Sequence, residues 1–513
     1  MWSENVQQAG RRGIIIGREV NEARSASVFP RSTVAGSAFR RQVLHRRAGK
    51  PSLLPLDLSS ADGERGELPL FRYGGGSRGS GLSPLSALSP GVFARNSSLA
   101  WNFEHGFARS ATNKEDGGVE GLADRLGVGS RHLRRLFLQH LGATPIAVAQ
   151  TRRLHFAKKL IDETSLPMNQ IAVASGFGCV RRFNAGILQA FHRTPTQIRH
   201  LARQKTLEPE NQYVFRLQFR PPYNWKGMLE FLEARATPGV ESVEFGKYRR
   251  SIAWDGSYGL MEVSHDGDHD ALTVRVQFGN PRALFFIIER IRAMFDLNAD
   301  WGAILRTLNA DAELASRIES NPGLRVPGCW SGFELAVRAI LGQQITVRGA
   351  TTLAGRLVEK LGQRICGFGS LTHLFPSPDA LIDAKLETIG LPSARAETIR
   401  TFARAVAFGQ VRFDGIVDFE AFRNCLCEIP GIGAWTANYV AMRALGEPDA
   451  FPSTDIGLMR AMGLSTYREL ERRAEVWRPW RAYAAMYLWS MGPSSVSKQR
   501  VIDQVSSGIQ PAV

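Results

Sequence analysis

The sequence predicts a multidomain, mainly α chain. A disordered N-terminal extension leads into an all-α unit with two helix-turn-helix motifs. A small α+β unit with an antiparallel sheet follows, and then an all-α C-terminal domain built around a tight hairpin. Three observations predict this. Apolar positions recur at helical spacing almost everywhere after residue 300. Period-two alternation is confined to residues 214–278, and the first hundred or so residues show little periodicity of either kind. At 513 residues the chain is long enough for two to four domains with real cores.

Composition narrows the function classes. Hydrophobic content of 44% is ordinary for globular protein, and no run approaches the length of a membrane span. A formal charge of +16 and a pI near 10.0 argue for a polyanionic partner. Five scattered cysteines do not make a disulfide framework, so a reducing, cytoplasmic compartment is expected. Cys425 and Cys427 form a C-x-C pair with no second pair nearby, which argues against a zinc or iron–sulfur site.

Residues 1–114 are rich in Arg, Gly, Ser and Pro, as in Gly74-Gly75-Gly76-Ser77-Arg78-Gly79, and are expected to be disordered. Order begins near Val119. Residues 119–137 place apolar side chains at helical spacing, interrupted by Gly127-Val128-Gly129. Ser130 can cap the second helix, whose outer side carries Arg131, His132, Arg134 and Arg135. A helix, a glycine turn and a basic second helix suggest a helix-turn-helix. The pattern recurs at residues 168–191, where Arg181 and Arg182 stand at the start of the second helix, and a longer helix over 145–162 would join the two motifs. Gly176-Phe177, Cys179, Phe183 and Ile187 resemble the signature of the AraC-type DNA-binding domain, with Cys179 in place of the usual serine cap. That resemblance makes Arg131, Arg134, Arg135, Arg181 and Arg182 the expected DNA contacts of a unit spanning 115–203.

After a charged linker at 204–212, residues 213–300 read as a small antiparallel sheet covered by helices. Strands are expected at 214–219, 241–245, 248–254, 259–264 and 271–278, with helices at 226–236 and 281–295. His265-Asp266-Gly267-Asp268-His269-Asp270 lies between two of those strands and reads as a solvated hairpin rather than a metal site. Residues 301–495 are nearly all helical, and 496–513 form a flexible tail. Within the helical domain, Pro430-Gly431-Ile432-Gly433 makes a tight turn, a helix follows at 434–445, and Asp455 stands before the next helix. Another helix is expected at 477–490. Two glycines beside an isoleucine let the backbone come close to another molecule, and amides aimed outward at a helix start suit a phosphate.

This hairpin with Asp455 beyond it resembles the helix-hairpin-helix DNA glycosylase superfamily. Trp435-Thr436-Ala437-Asn438-Tyr439, Arg478-Pro479-Trp480-Arg481, Leu324 to Cys329 and Ala339 to Gln343 resemble the bacterial 3-methyladenine DNA glycosylase II type. The Pro221-Pro222-Tyr223-Asn224-Trp225 punctuation is similar to that family's N-terminal domain. The resemblance runs from about Tyr213 to Pro493. It implies that Asp455 is the catalytic carboxylate and that Trp435, Tyr439 and Trp489 are the walls of a pocket for a flipped base. It also implies that Pro430, Gly431, Ile432, Gly433 and Thr436 grip the DNA backbone, and that Gln344 is the wedge filling the gap in the stack. Asp449 is the fallback carboxylate.

The chemistry agrees with these assignments. Breaking an N-glycosidic bond builds positive charge on the sugar, which one ionised carboxylate can stabilise. No second acid is evident, and a base already charged by alkylation leaves without one. Family members with lyase activity carry a lysine two residues after the second glycine, a position held here by Trp435. A monofunctional hydrolase leaving an abasic site is therefore expected, acting on double-stranded DNA as a monomer near the nucleoid, with no membrane partner. No cofactor is implied, although the hairpin could hold a structural monovalent cation. The combination of the two units resembles proteins of the alkylation adaptive response. No cysteine precedes Cys179, however, so the four-cysteine zinc methyl-acceptor pattern is absent. The alternative is a transcription regulator whose glycosylase half only binds duplex.

Overall fold

The computed structural model describes residues 118–125, 129–141, 143–202, 211–366, 368–413 and 418–490. The N-terminal extension, nearly all of the linker and the C-terminal tail lie outside these residues. The first unit comprises α1 (Gly118–Arg125), α2 (Ser130–Leu141), α3 (Pro145–Glu163), α4 (Met168–Ala174), α5 (Val180–Phe191) and α6 (Pro195–Leu201). Helix α3 bridges the pairs α1–α2 and α4–α5, as the doubled motif requires. The second turn depends on Gly176, whose φ of 77° suits glycine. Cys179 occupies the N-cap position of α5 and makes no capping hydrogen bond there. Burial of Phe183 and Ile187 in the core anchors α5 instead.

The second unit begins with β1 (Gln212–Gln218), α7 (Trp225–Glu233), β2 (Glu241–Glu244), β3 (Lys247–Trp254), β4 (Ser257–Asp266) and β5 (Ala271–Phe278). The strands form one antiparallel sheet in the order β1-β5-β4-β3-β2. Alternation puts Phe215, Leu217, Met261, Val263, Val274 and Val276 inside, where α8 (Leu284–Met294) covers them with Leu284, Ile287, Ile288 and Ile291. The expected single helix at 281–295 starts with one 3₁₀ turn at Pro281–Ala283. The tip between β4 and β5 is a turn in which Asp266 and His269 face each other at 3.2 Å.

The first unit is not tethered at a distance. Phe156, Leu160 and Ile161 of α3 share a continuous apolar core with the sheet and α8, and the Phe156 and Phe285 rings meet edge to face at 4.9 Å. On the edge strand β1, the Arg216 carbonyl accepts from Lys159 Nζ, and its N–H donates to Glu163 at 3.4 Å. An edge strand's outward backbone groups need such partners, and α3 supplies them.

The helical domain contains α9 (Trp301–Leu308), α10 (Ala312–Ser320), α11 (Gly332–Leu341), α12 (Val347–Leu361), α13 (Pro378–Leu381), α14 (Ser393–Ala407) and α15 (Phe419–Cys427). It continues with α16 (Ala434–Val440), α17 (Ile456–Ala461), α18 (Tyr467–Ala474) and α19 (Arg481–Ser490). Two boundaries differ from expectation. The helix expected over 434–445 ends as α16 and passes into a π turn at Ala441–Leu445, which Gly446 closes in the left-handed region. The closing helix starts at Arg481 rather than 477, because Pro479 has no N–H and disfavours helical backbone at Arg478.

A buried charge cluster joins α11 to the sheet. Arg250 donates to Glu334 at 2.8 Å and lies 3.6 Å from Glu241, which also receives Arg338 at 3.3 Å and the Tyr248 hydroxyl. Burial pushes the Glu241 carboxyl up, but the Arg250 and Arg338 guanidiniums outweigh it and hold it below the usual range. The cluster thereby fixes the helix that ends at the Gln344 loop.

Candidate active site

The hairpin between α15 and α16 is braced from two sides. Gly431 has φ 90°, and a Cβ there would stand 2.2 Å from Thr398 Oγ1. That hydroxyl donates to the Pro430 carbonyl at 2.9 Å. Gln343 donates through one amide nitrogen to the Gly431 carbonyl at 2.9 Å and to Thr436 Oγ1 at 3.2 Å. Arg395 holds the Gln343 carbonyl at 2.8 Å. Gly433 differs from Gly431: nothing lies within 4 Å of a Cβ built on it. The exposed surface of the turn is therefore Pro430, Gly431 and Gly433.

The side chains of two residues of the expected backbone grip face inward. Ile432 is 5% exposed and packs in the domain core, and Thr436 is 3% exposed with its hydroxyl bonded to Gln343. Their side chains hold the turn in place and do not reach its open face. Gln343 thus braces the hairpin from the end of α11. The next residue, Gln344, is exposed with φ 59°, an unusual conformation for a non-glycine residue. It stands in the loop between α11 and α12.

Asp455 caps α17: its Oδ1 accepts from the Leu458 N–H at 2.9 Å. Two indoles converge on the same carboxylate. Trp435 Nε1 donates to Oδ2 at 2.7 Å, and Trp489 Nε1 donates to Oδ1 at 3.1 Å. All three partners are donors, which suits an acceptor-only carboxylate. Gly457 leaves room beside the carboxylate, since a Cβ there would lie 2.9 Å from Oδ1 and 3.8 Å from the Trp489 ring.

The three expected pocket walls come together beside this carboxylate. Trp435 and Tyr439, four residues apart on α16, stack on each other at 5.1 Å with 7° between their planes. No ring fits between them. Trp489 meets Tyr439 at 6.3 Å and 64°, so a flat ligand has the outer Trp435 face and the Trp489 side to meet. Behind Tyr439 stands Arg443, which donates to the Tyr439 hydroxyl at 2.7 Å and to the carbonyls of Pro327 and Gly328 at 2.7 and 3.0 Å. Burial pushes the Tyr439 hydroxyl up, but the guanidiniums of Arg443 and Arg235 prevail and hold it below the ordinary tyrosine range.

The family models divide the chain along the same lines. Residues 122–200 match a helix-turn-helix domain, 214–331 the AlkA N-terminal domain, and 337–479 the HhH-GPD superfamily base excision DNA repair protein. The probable bifunctional transcriptional activator/DNA repair enzyme AlkA of Mycobacterium tuberculosis is 37% identical over 382 residues, covering 73% of this chain and 76% of that protein. The chain belongs to the AlkA family of HhH-GPD proteins. The Escherichia coli DNA-3-methyladenine glycosylase 2 is 33% identical over 279 residues, 54% of this chain and 96% of that relative. A solved 3-methyladenine DNA-glycosylase from Archaeoglobus fulgidus is 24% identical and covers 54% of this chain and 97% of its own, with a TM-score of 0.48.

Within this family member the fallback carboxylate is occupied. Asp449 is gripped by Arg481, at 2.7 and 3.1 Å, and by Arg478. It anchors the start of α19. Sequence reasoning missed Thr398, Arg395, Arg443 and Gly457, because their contacts cross between elements. Only Gln343 carried a signal, as part of the Ala339 to Gln343 run. In the helix-turn-helix unit, Arg131, Arg134, Arg135, Arg181 and Arg182 are all exposed on α2 and α5. Arg134 lies 3.9 Å from Glu120, and Arg135 donates to His132 at 2.9 Å. Among the described residues no group of His, Cys, Asp and Glu is placed to hold a metal, and no helix is long and apolar enough to cross a membrane.

Proposed function

We propose that the chain hydrolyses the N-glycosidic bond of alkylated purines in double-stranded DNA and leaves an abasic site. The observation that carries this reading is a carboxylate held by a helix N-terminus and two indoles beside an aromatic wall. As the base departs, the sugar becomes cationic, and Asp455 supplies the opposite charge at short range. The outer face of Trp435 and the side of Trp489 receive the flipped base, where a methylated, cationic purine gains about 0.5–2 kcal/mol of cation–π attraction. Such a base leaves without protonation, so one carboxylate suffices. Water completes the reaction, since Trp435 occupies the position where a lysine would form a covalent adduct.

The rest of the chain positions the duplex. The open face at Gly431 and Gly433 meets a phosphate of the lesion strand, and Gln344 enters the stack where the base has left. The helix-turn-helix unit adds a second, basic grip through Arg131, Arg134, Arg135, Arg181 and Arg182. No cofactor enters this reading. The test is base release from methylated duplex by wild type and Asp455→Asn. The variant should lose at least on the order of 10² in rate, as for removal of a main electrostatic stabiliser. Equal release by both proteins would end the proposal.

A further inference from the structure

We infer that Trp435 and Trp489 are positioning residues for Asp455 as well as walls for the base, and that among the described residues they leave its carboxylate one acceptor position. This rests on the glycosylase reading and concerns the same site. A carboxylate offers about four lone-pair positions. Oδ1 accepts two donors, the Leu458 N–H at 2.9 Å and Trp489 Nε1 at 3.1 Å. Oδ2 accepts one, Trp435 Nε1 at 2.7 Å. Among the described residues the remaining position is on Oδ2, the oxygen held by the indole that also forms the half-buried wall.

The arrangement has a mechanical consequence. A helix cap alone fixes one oxygen and leaves the carboxylate plane free to rotate. An indole on each oxygen removes that rotation, and Gly457 leaves no Cβ to push Oδ1 aside. Both indoles come from elements remote in sequence, α16 and α19, so the carboxylate is aligned only when those helices are docked against α17. The cationic sugar carbon faces this fixed carboxylate as the base leaves with the bonding electron pair. The carboxylate therefore works by fixed charge in bond breaking, with no proton taken in that step.

The wall and the positioning role separate in a variant that keeps the ring and deletes the N–H. Replacing Trp435 with benzothienylalanine preserves shape and stacking and puts sulfur in place of the donor; Trp435→Phe is the genetically simple companion. The same pair applies at position 489. With 7-methylguanine duplex as substrate, single-turnover kcat should fall on the order of ten- to a hundred-fold, the loss expected for one hydrogen bond to a charged group, with KM held within about twofold. In an Asp455→Asn background the same replacement should cost nothing further, since the indole acts through that carboxylate. A rise in KM at unchanged kcat would leave the tryptophans as walls only and overturn the inference. So would an undiminished loss in the Asn background. Failure of wild type to release the base at all would instead refute the underlying reading.

Discussion

At the scale of single residues, the chain places two carboxylates in opposite situations. Asp455 is part-buried and surrounded by donors. Asp296 is 3% exposed at the end of α8, with φ 51°, and accepts from the Tyr483 hydroxyl at 2.8 Å. Burial pushes its carboxyl up to about 6, against the pull of Arg325 and the Tyr483 hydroxyl. The sign follows from linkage. The folded chain binds this proton more tightly than the unfolded chain, where the group titrates near roughly 3.9. Its contribution to stability is full below about pH 4 and is lost as pH rises through about 6. Asparagine tolerates the left-handed backbone and keeps an acceptor for Tyr483. Asp296→Asn should therefore remove that loss, gaining up to about 3 kcal/mol relative to wild type as pH rises from about 4 to above 6. Denaturation midpoints of both proteins measured across that window decide it; parallel curves would show that Asp296 is not the titrating group.

At the scale of elements, the hairpin shows how two glycines in one motif differ in physical role. Gly431 is required by the fold. Alanine there meets Thr398 at 2.2 Å and a backbone at φ 90°, so Gly431→Ala should cost about 2–3 kcal/mol of stability. Gly433 has an ordinary φ of −95° and open space, so Gly433→Ala should change stability by less than about 1 kcal/mol. Its effect should appear in DNA affinity at fixed salt, because a methyl group would stand where a phosphate approaches. Unaltered affinity in a folded Gly433→Ala protein would place the duplex elsewhere. The neighbouring loop gives a companion prediction. Gln344→Ala should slow excision of a lesion paired in duplex far more than excision opposite a gap, where no hole has to be filled. An equal loss on both substrates, read as single-turnover rates, would remove the wedge role.

At the scale of the whole molecule, the helix-turn-helix unit and the small sheet share one core. The shared elements are α3, β1 and α8, joined by Phe156 against Phe285 and by the Lys159 and Glu163 contacts to Arg216. Such a junction should unfold as one cooperative unit. Amides of α3 and of β1 should then lose hydrogen-exchange protection together. Phe156→Ala, at a cost of about 3–5 kcal/mol, should separate the two sets. Independent exchange of α3 and β1 in the unaltered protein would mean that the units are only tethered. A shared core also means that the two surfaces proposed to meet DNA keep a set relation to each other. The basic side chains on α2 and α5 make the proposed duplex binding strongly salt-dependent.

The sequence by itself determined the architecture and pointed to the candidate carboxylate. Helical and period-two spacing separated the all-α units from the sheet, and the glycine hairpin, Trp435 and Asp455 named the family and its chemistry. These signals are local: a period reports which face is buried, and a turn needs particular residues at adjacent positions. Only the tertiary structure decided which side chains meet. Trp435 and Trp489 lie 20 and 34 residues from Asp455, yet both donate to its carboxylate. Trp435 and Tyr439 spend their shared face on each other rather than on a slot between them. Thr436 and Ile432 turn inward, while Gln343 crosses from another helix to brace the turn. Such contacts depend on how packed helices present their faces to one another, and no period or spacing along one chain encodes that angle.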